Sequence, residues 1–101
     1  SIRDWLHQCL GASGHVAVRK GVCVDSFGHI YVVDSYFSTV QSFDSEGRFL
    51  LSFGGPGRAA SDFQVPSGLT IDARNRIYVC DSHNGRVQVF DYVGGPNDDR
   101  P

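Results

Sequence analysis

At 101 residues, 41% apolar and 20% charged, the chain is one globular domain at most, or part of one, and not a disordered segment. Nine Lys and Arg stand singly among eleven Asp and Glu, and the formal charge of −2 gives no long-range attraction to nucleic acid or to an anionic membrane. No apolar run approaches the roughly 20 residues that cross a bilayer, and the opening SIRDWLHQCLG lacks the apolar centre of a signal peptide.

The chain opens on Ser and contains no Met, which reads as a processed form or an excised piece. Arg3–Gly11 can be laid on Arg48–Gly54 with a one-residue slip, matching an aromatic, an apolar and a final Gly position. That match predicts an outer strand, with its connector, over 1–17. Three short β-like runs follow in the next unit, 18–54: GVCVD (Gly21–Asp25), IYVVD (Ile30–Asp34) and TVQSFD (Thr39–Asp44). The first is an apolar run of buried-strand length, and the others are rich in β-branched and aromatic residues. RFLLSFG (Arg48–Gly54) supplies a fourth strand. A Gly-rich connector over 55–67 leads to a second unit, 68–95, with GLTID, IYVCD and RVQVFD but no fourth strand, and a tail over 96–101.

The short turns share one chemistry. DSFGHI, DSEGRF and DARNRI each open on an aspartate, Asp25, Asp44 or Asp72, whose carboxylate can accept backbone N–H bonds. Three places later stand Gly28, Gly47 and Asn75, residues that tolerate positive φ. Each is the signature of a tight β-hairpin, with these six residues in structural turn roles.

The two units are copies of one phrase. Displaced by 47 residues, Val18–Gly47 falls on Val65–Gly94 with identity at 13 of 30 positions. A repeat of this length, built from four antiparallel strands joined by hairpins, has the size of a propeller blade. The expected fold is therefore all-β: two four-stranded antiparallel β-propeller blades, with the N-terminal strand completing the last.

PSGLTIDARNRIYVCDSHNGRVQVFD (Pro66–Asp91) resembles an NHL repeat, the blade unit of a class of six-bladed β-propellers, and GGPGRAASDFQVP (Gly54–Pro66) resembles the connector between such blades. The resemblance implies that Asn84 and Arg86 bond between neighbouring blades. The first copy has Phe37 and Thr39 in their places, so its contact with a neighbour must be built differently.

Two blades cannot close a ring, and a repeat pair leaves apolar faces open. Self-association is expected, with a homotrimer favoured because three copies make six blades. The competing expectation is a segment of a longer propeller.

Cys9, Cys23 and Cys80 are odd in number with no close pair, which suits neither a disulfide framework nor a zinc site. Cys23 and Cys80 are expected as buried, small apolar residues. The histidines, His7, His15, His29 and His83, show no metal-ligand spacing, so no metal and no cofactor is expected. Asp34 and Asp81, each followed by Ser, read as turn caps. Arg74, Arg76 and Arg86 are split between opposite ends of the blade, which reads as solvated arginines and makes nucleic acid a poor partner.

The face formed by the turns after the second strand of each blade, with the connectors, is the expected binding surface. It carries Tyr36, Phe37, His83, Asn84 and Arg86. Two adjacent aromatics in a hairpin tip cannot both be buried by alternation, and exposed aromatics suit recognition of a protein, peptide or sugar. The function expected is a non-enzymatic binding or scaffold module. Its alternatives are a fragment of a metal-dependent lyase or lactonase of the kind related propellers carry, marked by an axial divalent metal, and an RNA-binding domain, marked by steeply salt-dependent affinity.

Overall fold

A computed structural model describes residues 2–9 and 21–91. These residues form one α-helix, α1 (Ile2–Cys9), a short 3-10 turn at Ser82–Asn84, and seven strands: β1 (Val22–Val24), β2 (Ile30–Asp34), β3 (Thr39–Phe43), β4 (Phe49–Gly54), β5 (Pro66–Ile71), β6 (Arg76–Asp81) and β7 (Arg86–Asp91). Two antiparallel sheets result, one of four strands in the order β1-β2-β3-β4 and one of three in the order β5-β6-β7. Each is blade-like, and neighbours in sequence are neighbours in space.

The core lies between the sheets. Tyr31 and Val40 of the first meet Leu69, Ile77 and Val79 of the second, with Phe63 of the connector sealing one side. Alternation explains the set. Tyr31 pairs with Cys23 and Ser42, and Val33 with Val40, so these side chains share the face turned to the second sheet. Each fully buried Phe, Leu or Val contributes about 1.5–3 kcal/mol relative to exposure. On the opposite face of the first sheet Val22 and Val24 are 48% and 53% exposed, although GVCVD has the composition of a buried strand. Of the apolar residues of that run, only Cys23 packs against the core.

Two expectations are corrected. Ile2–Cys9 is a helix, not an outer strand. Ile2, Trp5, Leu6 and Cys9 recur at the spacing of one helical face, and Asp4 sits in the first turn where the helix dipole favours it. That periodicity outweighs the loose strand match. Cys80, expected as a free buried thiol, is disulfide-bonded to Cys9 across a sequence separation of 71, with Cα atoms 5.9 Å apart. Cys80 is buried as expected, whereas Cys23 is free and half-buried. The helix makes the bond possible. It lies on the outer face of the second sheet, where Trp5 packs edge-on against Tyr78 at 6.5 Å.

Among the described residues nothing pairs with the free edge of β7. Beside that edge an apolar cleft of about 140 Å³ opens between the sheets, lined by Tyr31, Leu51, Phe53, Ile77 and Phe90 with Ser42 and Asp91. Connector residues 11–17, the end of the second unit at 92–95 and the tail at 96–101 lie outside the described residues, as does His15.

Candidate binding surface

The strand directions put three hairpin turns at one end of the pair and the connector, with the turns after β2 and β6, at the other. At the first end each aspartate closes its turn. Asp25 Oδ1 accepts from the backbone N–H groups of Phe27 (2.8 Å) and His29 (2.9 Å). Asp44 does the same for Glu46 and Arg48, and Asp72 for Arg74 and Arg76. Gly28, Gly47 and Asn75 take positive φ of 88°, 85° and 62°. Asn75 also clasps the other blade: its Oδ1 accepts from Ser26 N–H (3.0 Å) and its Nδ2 donates to Ser26 Oγ (2.7 Å).

The second carboxylate oxygen of two of these aspartates ties the turn to its own sheet. Asp25 Oδ2 takes the Tyr31 hydroxyl at 2.8 Å and lies 2.9 Å from His29 Nδ1. Asp72 Oδ2 takes Arg76 Nε at 2.6 Å and the Tyr78 hydroxyl at 3.0 Å. Partial burial pushes the Asp72 carboxyl up, but hydrogen bonds from the Arg76 backbone and side chain, Tyr78 and Arg74 outweigh it and hold it at about 2. Arg76 is thus engaged, while Arg74 is exposed. Among the described residues no group of three or more His, Cys, Asp or Glu converges as a metal site.

At the connector end Asn84 and Arg86 face inward. Asn84 Nδ2 donates to Gly57 O (2.9 Å) and Asp81 Oδ2 (2.9 Å). Arg86 Nε donates to the same Asp81 oxygen (2.9 Å), while its Nη2 reaches Ala59 O (2.8 Å) and Asp62 O (2.9 Å). Asp81 is fully buried, and its Oδ1 accepts from Gln64 N–H at 2.7 Å. Gln88 adds a bond to Asp62 O (2.6 Å) and accepts from Ser61 N–H (3.0 Å). These residues bolt the connector onto the second blade, so Asp81 is a buried hub rather than a simple turn cap. Gln88 was legible only as one half of the repeated Gln41/Gln88 pair.

Among the described residues the first blade shows no such bolt. With Phe37 and Thr39 in place of Asn84 and Arg86, Asp34 turns its Oδ1 onto its own loop and accepts from Tyr36 N–H (3.0 Å) and Phe37 N–H (3.1 Å). The braced tip presents both rings outward, Tyr36 87% and Phe37 62% exposed, packed edge to face at 4.8 Å. A residue at φ 56°, Ser38, then returns the chain to β3. His83 is exposed on the equivalent turn of the second blade, its N–H bonded to Gln64 O at 3.2 Å. Ser35 Oγ donates to Pro66 O (2.6 Å), joining the first turn to the start of β5. Of the five residues expected on this surface, three, Tyr36, Phe37 and His83, are presented to solvent.

No curated protein matches the chain. Residues 63–90 match the family model of the NHL repeat, a span that contains Phe63, Asp81, Asn84, Arg86 and Gln88. The match falls on the end of the connector and the second blade, and a repeat of this kind suggests a β-propeller-type binding module.

Proposed function

We propose that this chain is a non-enzymatic recognition module in which the blades are scaffold and the connector end carries the contact surface, centred on Tyr36 and Phe37. The observation that carries the reading is the aromatic pair itself, two large rings held outward on a carboxylate-braced turn. Aromatic side chains give large contact area for few lost rotamers, and a rigid turn lowers the ordering cost of binding. A protein or peptide partner suits such a tip. The scaffold is a six-bladed ring of three copies: the uncovered sheet face with Val22 and Val24 needs a neighbour, and another copy can provide one.

The test is selection of binders from a displayed random-peptide library, followed by measurement of each peptide on the wild type and on a Tyr36→Ser/Phe37→Ser variant. Peptides that lose at least tenfold in affinity on the variant, with the variant's β-sheet circular dichroism intact, support the reading. A set of binders indifferent to both substitutions overturns it.

A further inference from the structure

We infer that the Tyr78 face of the second blade is the docking surface for the first blade of another copy, and that α1, tethered by Cys9–Cys80, keeps that surface closed until the disulfide is reduced. The inference rests on the ring reading proposed above.

The repeat identifies the partner. Within the chain, the Tyr31 face of the first blade is covered by Leu69, Ile71, Ile77 and Val79 of the second. Displaced by 47 residues, the same four positions on the first blade are Val22, Val24, Ile30 and Val32, apolar at every one. Among the described residues nothing covers their face, with Val22 and Val24 48% and 53% exposed. The Tyr31 face has its own copy in the second blade, where Tyr78 takes the place of Tyr31 and Cys80 that of Val33. So each copy offers both halves of the contact that already joins its two blades. Head-to-tail repetition of such a contact is what closes a ring.

One half is occupied. Trp5 stands edge-on to Tyr78, Leu6 is half-buried, and Cys9 is bonded to Cys80. The cover is partial, since Val89 on the same sheet remains 51% exposed. It is also weakly seated without the covalent bond. Eight residues are too few for a helix to persist alone, and the Trp5 indole N–H is buried with no hydrogen-bond partner. The disulfide therefore holds the helix in place.

The releasing reaction is thiol–disulfide exchange with a dithiol. One thiolate attacks the sulfur of Cys9, the less buried of the two, and Cys80 leaves as a thiolate that takes up a proton. The second thiol of the reductant then attacks the mixed disulfide and frees Cys9, also protonated. Two electrons pass to the protein, and the dithiol ends as its own disulfide.

Trp5 is the only tryptophan, so its fluorescence reports on the helix alone, while light scattering reports the mass. Dithiothreitol is added to the native protein, and Cys9→Ser is measured without it. We expect the Trp5 emission to shift to the red and the mass to rise to three times 11.1 kDa, with β-sheet circular dichroism unchanged. Val22→Glu/Val24→Glu should keep the red shift and abolish the rise. A red shift with no gain in mass overturns the docking and the ring together. A gain in mass with no red shift overturns the gate but leaves the ring. Loss of the β-sheet signal on reduction makes the bond a structural staple, which also overturns the gate.

Discussion

Tyr31 and Tyr78 hold the same place in the two copies of the repeat, yet they are covered by different things: Tyr31 by the second blade, Tyr78 by Trp5 of α1. Both hydroxyls donate to the aspartate six residues earlier, Asp25 at 2.8 Å and Asp72 at 3.0 Å. The local bond is part of the repeat, while the burial around it depends on what packs outside.

That difference predicts unequal costs. The Asp25 side chain is fully buried, so Tyr31→Phe removes a donor from an oxygen that keeps only the His29 Nδ1 contact, in a site screened from solvent. The loss should be about 2 kcal/mol, within the range for a hydrogen bond to a charged group. The Asp72 side chain is 12% exposed and keeps Arg76, so Tyr78→Phe should cost about 1 kcal/mol. Urea midpoints of the two variants decide it, and equal shifts would remove the distinction.

Asp81→Asn should be the most damaging polar substitution in the connector. An amide nitrogen at the Oδ2 position would face Arg86 Nε and Asn84 Nδ2, setting donor against donor in a buried site. Arg86 is about one-third exposed, so we expect about 2–3 kcal/mol, below the range for fully buried pairs. Asp34→Asn, whose oxygen braces only an exposed turn, should cost under about 1 kcal/mol. Denaturant titration of both should show that order.

Gly54→Ala tests the seam between β4 and the connector. A Cβ there would stand 2.3 Å from the Phe63 ring, at a φ of 91° that L residues rarely adopt. Phe63 is fully buried and cannot swing away cheaply. Overpacking and backbone strain together should cost about 2–4 kcal/mol. Gly47→Ala, with open space around the site, should cost only about 1 kcal/mol. A Gly54→Ala variant as stable as wild type would show that Phe63 is not locked in place.

The hairpins, the strand order and the turn aspartates were legible because they rest on local rules: alternation, an Asp that accepts its own turn's N–H bonds, and a residue tolerant of positive φ. Asn84 and Arg86 fall on the expected binding face by their place at the turn after the second strand, while the resemblance implies bonds between blades. Their inward direction depends on a connector whose path local rules do not determine. The helix was readable in the spacing of Ile2, Trp5, Leu6 and Cys9, but a loose match to Arg48–Gly54 competed with it. The Cys9–Cys80 bond followed only once that helix was placed on β6, because two cysteines 71 residues apart carry no pairing signal of their own.

Acid should weaken the fold through Asp72. Its folded-state pKa is about 2, below the ordinary 3.8, so its contribution is complete above about pH 4 and is lost as the pH falls toward 2. Asp44 is lowered in the same direction, first by the Arg48 N–H bond. Asp72→Asn should be less stable at neutral pH and show a shallower loss between pH 4 and 2. A parallel acid limb in the variant would exclude Asp72 as a contributor.

Cys23 should be slow to react while the chain is folded. Burial first, and then the neighbouring Asp25 carboxylate, push its thiol up to about 12. At pH 8 the reactive thiolate is then about one part in ten thousand, against roughly a quarter for an ordinary cysteine near 8.5. Iodoacetamide should therefore label native protein on the order of a thousandfold more slowly than protein unfolded in urea. The same suppression keeps Cys23 from attacking the Cys9–Cys80 bond, since exchange needs a thiolate. An intact Cys9–Cys80 pairing after prolonged incubation at pH 8 goes with slow labelling. Rapid native labelling would instead place Cys23 in solvent and predict scrambled disulfides on the same timescale.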